Sequence, residues 1–287
     1  MKYLKLVRPK QWIKNSLVFA PIIFSGQLLS GQYITAFYAA IIFIITSSCV
    51  YIFNDIHDYD SDRHHNTNIM RPIASGNISI KNAYIFLLIL IIFDSLLIYI
   101  FSISFEGIGL VIIYLFLNFL YSVGLKNIPL LEILIVSSGF IIRLLFGAIE
   151  TSIILSPWII LCLGVFVLMI TVGKRRSDYV QNINSKHRRK SLDGYNLKYL
   201  DQIITIFASA TIMLYLLYAT SDYAESSIGL SVVWTSPIVI FAILRYLQLV
   251  TVYKNGEDPT SMLLRDKASL ILFIIWILSI LCIIYFF

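Results

Sequence analysis

The sequence predicts an all-α, polytopic membrane protein with nine transmembrane helices forming a single domain, residues 1–287. Three observations support this. Hydrophobic residues make up 59% of the chain and charged ones only 13%, with a mean hydropathy of +0.84, which excludes a soluble globule of ordinary composition. Nine apolar runs are long enough, or nearly so, for a bilayer crossed by roughly 20 helical residues. All of the 22 Lys and Arg except Arg143 lie in the amino terminus, in the even-numbered connections, or at span ends bordering them.

The spans cover approximately residues 16–29, 33–53, 83–101, 107–123, 130–149, 155–172, 203–220, 230–250 and 268–287. The first is short and contains Pro21, so a tilted, kinked or partly re-entrant segment is expected. The basic, amphipathic amino terminus MKYLKLVRPKQWIKN leads into it without a small-residue cleavage site, so no cleavable signal peptide is expected. Trp12 stands where an interfacial aromatic belongs. This segment reads either as a membrane-surface anchor or as a carrier of Lys10, Lys14, Gln11 and Asn15 towards a phosphate; the two readings are compatible.

The odd-numbered connections, around Gly31, Ser104, Thr151 and Asp222, carry Glu106, Glu150, Asp222 and Glu225 but no basic residue. The positive-inside rule then places the amino terminus and the even connections in the cytoplasm and the carboxyl terminus outside, in an inner (plasma) membrane. The net charge of +6 gathers on one face, which fits topology alone, anionic lipid or a phosphorylated substrate. Nucleic acid is the least favoured partner. Cys49, Cys162 and Cys282 fall inside apolar runs and read as small core residues.

The stretch from Asn54 to Gly76, NDIHDYDSDRHHNTNIMRPIASG, holds four acids, two Arg and three His between long apolar runs. If the preceding helix continues to Asp62, at roughly 100° per residue Asn54, Asp55, Asp58 and Asp62 share about a quarter turn of arc while Asp60 points elsewhere. Oxygen-only ligands suit a hard cation, and Mg²⁺ usually completes its shell with water and substrate phosphates. The bland alternative is a solvated acidic cap, which would sit at the unfavourable C-terminal end of a helix. An EF-hand is excluded because Arg63 and Ile69 stand where its Gly and Glu belong. His57, His64 and His65 lack Cys or Glu at ligand spacing and read as solvated or supporting residues, not zinc ligands.

Further along, Arg71-Pro72 and Gly76 break the helix, and Arg71 can clamp a phosphate. Asp94 is alone inside its span, without a partner at helical spacing. Asn118 and Tyr121 lie one turn apart; they either hydrogen-bond across helices or, with Lys126, flank a cavity. Arg143, inside an apolar helix, is expected in the bundle core facing an anion. The connection 174–198 is a second polar centre, with Lys174 and Asp178, and Arg175 and Tyr179, one turn apart. It reads either as an ordinary basic loop with a salt bridge or as a carboxylate and cations for a metal-bound diphosphate. The last connection repeats the theme weakly with Glu257, Asp258, Arg265 and Asp266.

Two charged cytoplasmic connections roughly 110 residues apart on such a bundle resemble the UbiA superfamily of membrane transferases. Its first motif, N-D-x-x-D-x-x-x-D, is matched by Asn54, Asp55, Asp58 and Asp62. In place of the second Asp-rich motif this chain has GKRRSDYV. That departure, with RPKQWIKN, RPIASG, YSVGLKNIPLLEILIVSSGFIIR, RRKSLDGYNLKYL and GEDPTSMLLRD, is similar to the decaprenyl-phosphate phosphoribosyltransferase branch over nearly the whole chain. There the second motif reads close to G-K-R-x-x-E, so Asp178 stands where a Glu is usual.

The resemblance implies a UbiA-like bundle around a cytoplasm-facing cavity, phosphoribosyl diphosphate as donor, a polyprenyl phosphate as acceptor and Mg²⁺ as cofactor. It implies that Asn54, Asp58 and Asp62 hold metal and diphosphate with Asp55 in support, and that Lys174, Arg175 and Asp178 complete the donor site. Lys14, Arg71, Tyr121, Lys126 and Arg143 join them as expected substrate contacts, and a homo-oligomer is compatible with all of this. Two alternatives remain at this point. One is a prenyltransferase moving an isoprenoid to an aromatic or lipid acceptor. The other is a transporter, which calls for internal repeats and a mid-bilayer acidic cluster that the sequence does not display.

Overall fold

Apolar stretches in a bilayer must satisfy their own backbone groups, and the chain does so with helices throughout the described residues. The computed structural model describes residues 2–27, 30–63, 68–181, 189–227, 230–253 and 265–286. His64, His65, Glu257 and Asp258, singled out above, lie outside them.

Among the described residues, eight helical segments are long and apolar enough to cross a membrane. They are α1 (Gln32–His57), α2 (Ile80–Ile100), α3 (Phe105–Val123), α4 (Leu131–Glu150), α5 (Pro157–Gln181), α6 (Leu197–Ala219), α7 (Ser236–Thr251), which reaches spanning length as Val232–Thr251 with the turn before it, and α8 (Lys267–Phe286). A 3₁₀ turn, Leu230–Thr235, leads into α7. Several starts are capped by short polar side chains. Ser79 accepts from the amide of Asn82 ahead of α2, Ser104 from Gly107 ahead of α3, and Asn196 from Tyr199 ahead of α6.

The segment expected as the first span forms no long helix. Pro9–Phe19 is 3₁₀, followed by the five-residue α-helix Ala20–Phe24. A 3₁₀ run of this length is uncommon, because its hydrogen bonds are poorer than those of an α-helix. Tertiary contacts hold it: Asn15 is buried and hydrogen-bonded, and a Cβ on Gly147 of α4 would lie 2.1 Å from the carbonyl oxygen of Val18. Only a glycine lets α4 approach so closely.

The chain divides into two compact units. One comprises residues 1–22, 27–135 and 142–154, the other residues 23–26, 136–141 and 155–287. In the first unit Phe43 packs on Tyr114 and Phe146, with ring centroids 4.9 and 5.3 Å apart. A neighbouring cluster joins Leu6, Ile52, Ile73 and Ile78, tying the amino terminus and the Arg71–Gly76 turn to α1. In the second unit Tyr215, Val232 and Ile280 form a core, where Trp276 donates to the Tyr215 hydroxyl at 3.0 Å.

Asp94, which has no partner at helical spacing in its own span, has one on another helix: Thr46 of α1 donates to its Oδ2 at 2.6 Å. Helical spacing along α2 could not show this. Asn118 turns back to the carbonyl of Tyr114 on its own helix at 2.8 Å.

Candidate active site

The acidic stretch stays helical through the first motif with one small offset. α1 ends at His57 and a short helix runs Tyr59–Arg63, yet the amide of Asp58 bonds the carbonyl of Asn54 at 2.9 Å and that of Asp62 bonds Asp58 at 2.8 Å. Both are i to i−4 bonds, one on each side of the turn at Asp58, so the direction of the helix is kept across it. Asp55 and Asp62 are buried, Asn54 and Asp58 half-buried, and Asp60 exposed, as the helical arc requires.

Two groups of contacts grow from this face. In one, the Asn54 amide donates to Asp58 Oδ2 at 3.1 Å, and Asn54 Oδ1 accepts from Ser122 at the end of α3 at 3.1 Å. Lys126, in the following turn, donates to Asp58 Oδ1. In the other, Arg8 and Arg71 both donate to Asp55 Oδ1, the latter at 3.2 Å. Arg71 also reaches Asp62 Oδ2 at 2.6 Å, and Asn68 donates to Asp62 Oδ1 at 2.8 Å. Each carboxylate of the motif therefore has a basic partner, which compensates for its removal from water.

Neither Arg8 nor Ser122 was singled out from sequence. A signal for Arg8 existed: Arg-Pro occurs twice in the chain, as Arg8-Pro9 and Arg71-Pro72, and both arginines converge on Asp55.

The donor chemistry fits a hard cation. Asn54 and Asp58 are joined through the Asn54 amide nitrogen, and the oxygens of Asn54, Asp55, Asp58 and Asp62 are hard donors set along one short helical stretch. Among the described residues, no three His, Cys, Asp or Glu converge as a ready ligand set. Such a site suits Mg²⁺, which takes one or two carboxylates and fills its shell with water and phosphate oxygens.

Arg143 is buried in the first unit, as expected of a core position, and the partners that follow are neutral side chains instead of the expected anion. Its Nε donates to Asn15 Oδ1 at 2.7 Å and its Nη2 to the Tyr114 hydroxyl at 2.9 Å. The Phe43 and Tyr114 rings lie 5.2 and 5.0 Å away, so its charge rests partly on aromatic faces. Asn15 in turn donates to Ser47 at 3.2 Å. Lys14 and Tyr121 are half-buried.

In the second unit, Arg175 donates to Asp178 Oδ2 at 2.5 Å, one turn along α5, beside the half-buried Lys174. Arg176, not singled out above, is buried; it bonds Asp201 at 2.5 Å and the carbonyl of Val250 at 2.7 Å, joining α5, α6 and α7.

A model of the UbiA prenyltransferase family matches residues 18–277. The decaprenyl-phosphate phosphoribosyltransferase of Corynebacterium glutamicum is 32% identical over 98% of this chain and 86% of its own length. That of Mycolicibacterium smegmatis is 33% identical over 99% and 92%. Among solved structures, a UbiA homologue from Archaeoglobus fulgidus bound to GPP and Mg²⁺ is similar with a TM-score of 0.74, covering 99% of each chain at 17% identity, which speaks for the fold.

Proposed function

Because this chain belongs to the UbiA prenyltransferase family, we propose that it transfers a 5-phosphoribosyl group from phosphoribosyl diphosphate to a membrane polyprenyl phosphate of decaprenyl or undecaprenyl type, releasing diphosphate. The observation that carries this reading is the first motif itself. Asn54, Asp55, Asp58 and Asp62 lie along one helical segment, with Arg8, Arg71 and Lys126 delivered to their carboxylates from three other parts of the chain. The full-length likeness to curated phosphoribosyltransferases supports the donor and acceptor.

Asn54, Asp58 and Asp62 would hold Mg²⁺, which neutralises charge on the leaving diphosphate. Lys126 serves as a cation for the diphosphate oxygens and Arg71 for a substrate phosphate, and the Ser122 hydroxyl, donating to Asn54 Oδ1, holds the carboxamide in place. The acceptor phosphate is ionised near neutral pH and needs no general base. One of its oxygens forms the new bond to the anomeric carbon as the bond to diphosphate breaks, through an oxocarbenium-like state. Lys174, Arg175 and Asp178 are proposed catalytic and binding residues through the match of GKRRSD to the branch's second motif. Lys14, Tyr121 and Arg143 are proposed as substrate-binding residues.

The charge partition supports nine crossings, with the short Pro9–Phe24 stretch in the first, a cytoplasmic amino terminus and active face, and an external carboxyl terminus.

The test is incubation of the purified protein with Mg²⁺, radiolabelled phosphoribosyl diphosphate and a panel of polyprenyl phosphates. Label entering the lipid phase, with the mass of acceptor plus one pentose phosphate, is expected. Transfer of isoprenoid from geranyl diphosphate to an aromatic acid, with none from phosphoribosyl diphosphate, would replace this reading with the prenyltransferase one.

A further inference from the structure

We propose that Arg8 and Arg71 together form a binding site for a phosphomonoester dianion, separate from the Asn54, Asp58, Ser122 and Lys126 group, with Asp55 as the counter-ion that holds the two guanidiniums side by side. The inference rests on the proposed function, whose substrates carry one diphosphate and two phosphomonoesters: the 5-phosphate of the donor and the head of the lipid.

Two guanidiniums repel each other, and here both converge on one oxygen, Asp55 Oδ1. Asp55 is almost fully buried, at 2% exposure, whereas the arginines keep 25% and 26% of their side chains open. Among the described residues, Arg8 commits a single nitrogen to Asp55, and Arg71 commits one nitrogen, shared between Asp55 and Asp62. A guanidinium carries five N–H donors in a planar fork that matches phosphate oxygens. Most of the donors of this pair are therefore left for a ligand. The trio of Arg8, Arg71 and Asp55 carries one net positive charge, and Asp62, the other partner of Arg71, is assigned above to the metal.

The backbone supplies an independent observation. Arg8 has φ 51° and ψ 65°, a left-handed conformation that is strained for a residue with a side chain and sits directly before Pro9. Strain of this kind persists only where the surroundings over-determine it. They do: the carbonyl of Val7 accepts from Trp12 Nε1 at 3.1 Å and from Ser48 at 3.3 Å, and the Arg8 guanidinium lies 5.2 Å from the centre of the Tyr51 ring. The chain thus bends out of its relaxed course to bring Arg8 onto α1 beside Arg71. Asn54 and Asp58 bond each other and are met instead by Ser122 at the end of α3 and Lys126 in the turn after it, and none of these contacts involves Asp55.

The experiment measures binding of three probes to the purified protein with Mg²⁺: inorganic diphosphate, ribose 5-phosphate and farnesyl phosphate. Arg8→Ala is expected to weaken one of the two monoesters by at least about tenfold while diphosphate changes by less than about twofold. Loss of ribose 5-phosphate assigns the site to the donor, and loss of farnesyl phosphate assigns it to the lipid head. Arg8→Lys, which keeps the charge without the fork, should weaken the same probe by about threefold or more, and it carries the test if Arg8→Ala does not fold. No loss of either monoester, or an equal loss of all three probes, overturns the proposal. A selective monoester loss in a protein that moves no label from phosphoribosyl diphosphate to any lipid leaves the anion site standing and removes the proposed reaction instead.

Discussion

Lys126 donates to Asp58 Oδ1 across 68 positions of sequence, binding the turn after α3 to the acid at the end of α1. Asp58 is only 14% exposed, so the pair is largely shielded from solvent. Lys126→Ala leaves that carboxylate without its cation and takes a positive charge from the proposed diphosphate group. Initial rates of lipid labelling should fall by about tenfold or more, with partial recovery in Lys126→Arg.

Asp58→Ala and Asp62→Ala are each expected to abolish transfer of label into extracted lipid while the protein still elutes as a folded species. Full activity in either variant would contradict the assignment of these carboxylates to metal and diphosphate.

Arg143 joins Asn15, Tyr114 and the Phe43 ring, and through Asn15 it holds the 3₁₀ segment. Arg143→Ala leaves the Asn15 oxygen and the Tyr114 hydroxyl without that donor and opens a cavity. A loss of about 3 kcal/mol is expected, read as a lower Tm in detergent, together with impaired turnover. Unchanged Tm and kinetics would refute both roles.

Gly173 of α5 faces Tyr246 of α7, and a Cβ there would lie 2.0 Å from the tyrosine hydroxyl oxygen. Gly173→Ala should therefore destabilise by about 1–3 kcal/mol through overpacking. Adding Tyr246→Phe should restore part of this, since the hydroxyl makes the closest contact and the ring carbon behind it stands at 3.0 Å. Comparing Tm across the single and double variants measures the coupling.

Asp266 accepts from Arg245 at 3.1 and 2.6 Å and from the amide and hydroxyl of Ser269 at 2.8 Å each, which starts α8. Hydrogen bonding from Arg245 holds its carboxyl below the usual carboxylate range. A depressed folded-state pKa contributes stability above the ordinary carboxylate pKa and loses it as pH falls through the folded value. Acid melting should thus be less steep in Asp266→Asn than in the unaltered protein. Parallel pH curves would count against the contact.

Much of this protein was readable before its structure. Local periodicity placed Asn54, Asp55, Asp58 and Asp62 on one arc, because a helix converts spacing into direction regardless of what packs against it. Apolar length identified eight of the nine expected spans. The remaining one forms no long helix: hydropathy measures only the cost of leaving water, whereas the 3₁₀ form of Pro9–Phe19 follows from contacts with Ser47, Arg143 and Gly147 far along the chain.

Composition and spacing by themselves determined a helical membrane protein with an acidic, oxygen-rich face at the end of one span. Which cation neutralises which carboxylate was decided only by tertiary structure: Lys126 for Asp58, Arg71 for Asp62, and Arg8 with Arg71 for Asp55. Helix formation is governed by neighbours within a turn, but a buried charge must be matched by whichever side chain the folded chain brings within reach, and that pairing leaves no periodic trace in the sequence.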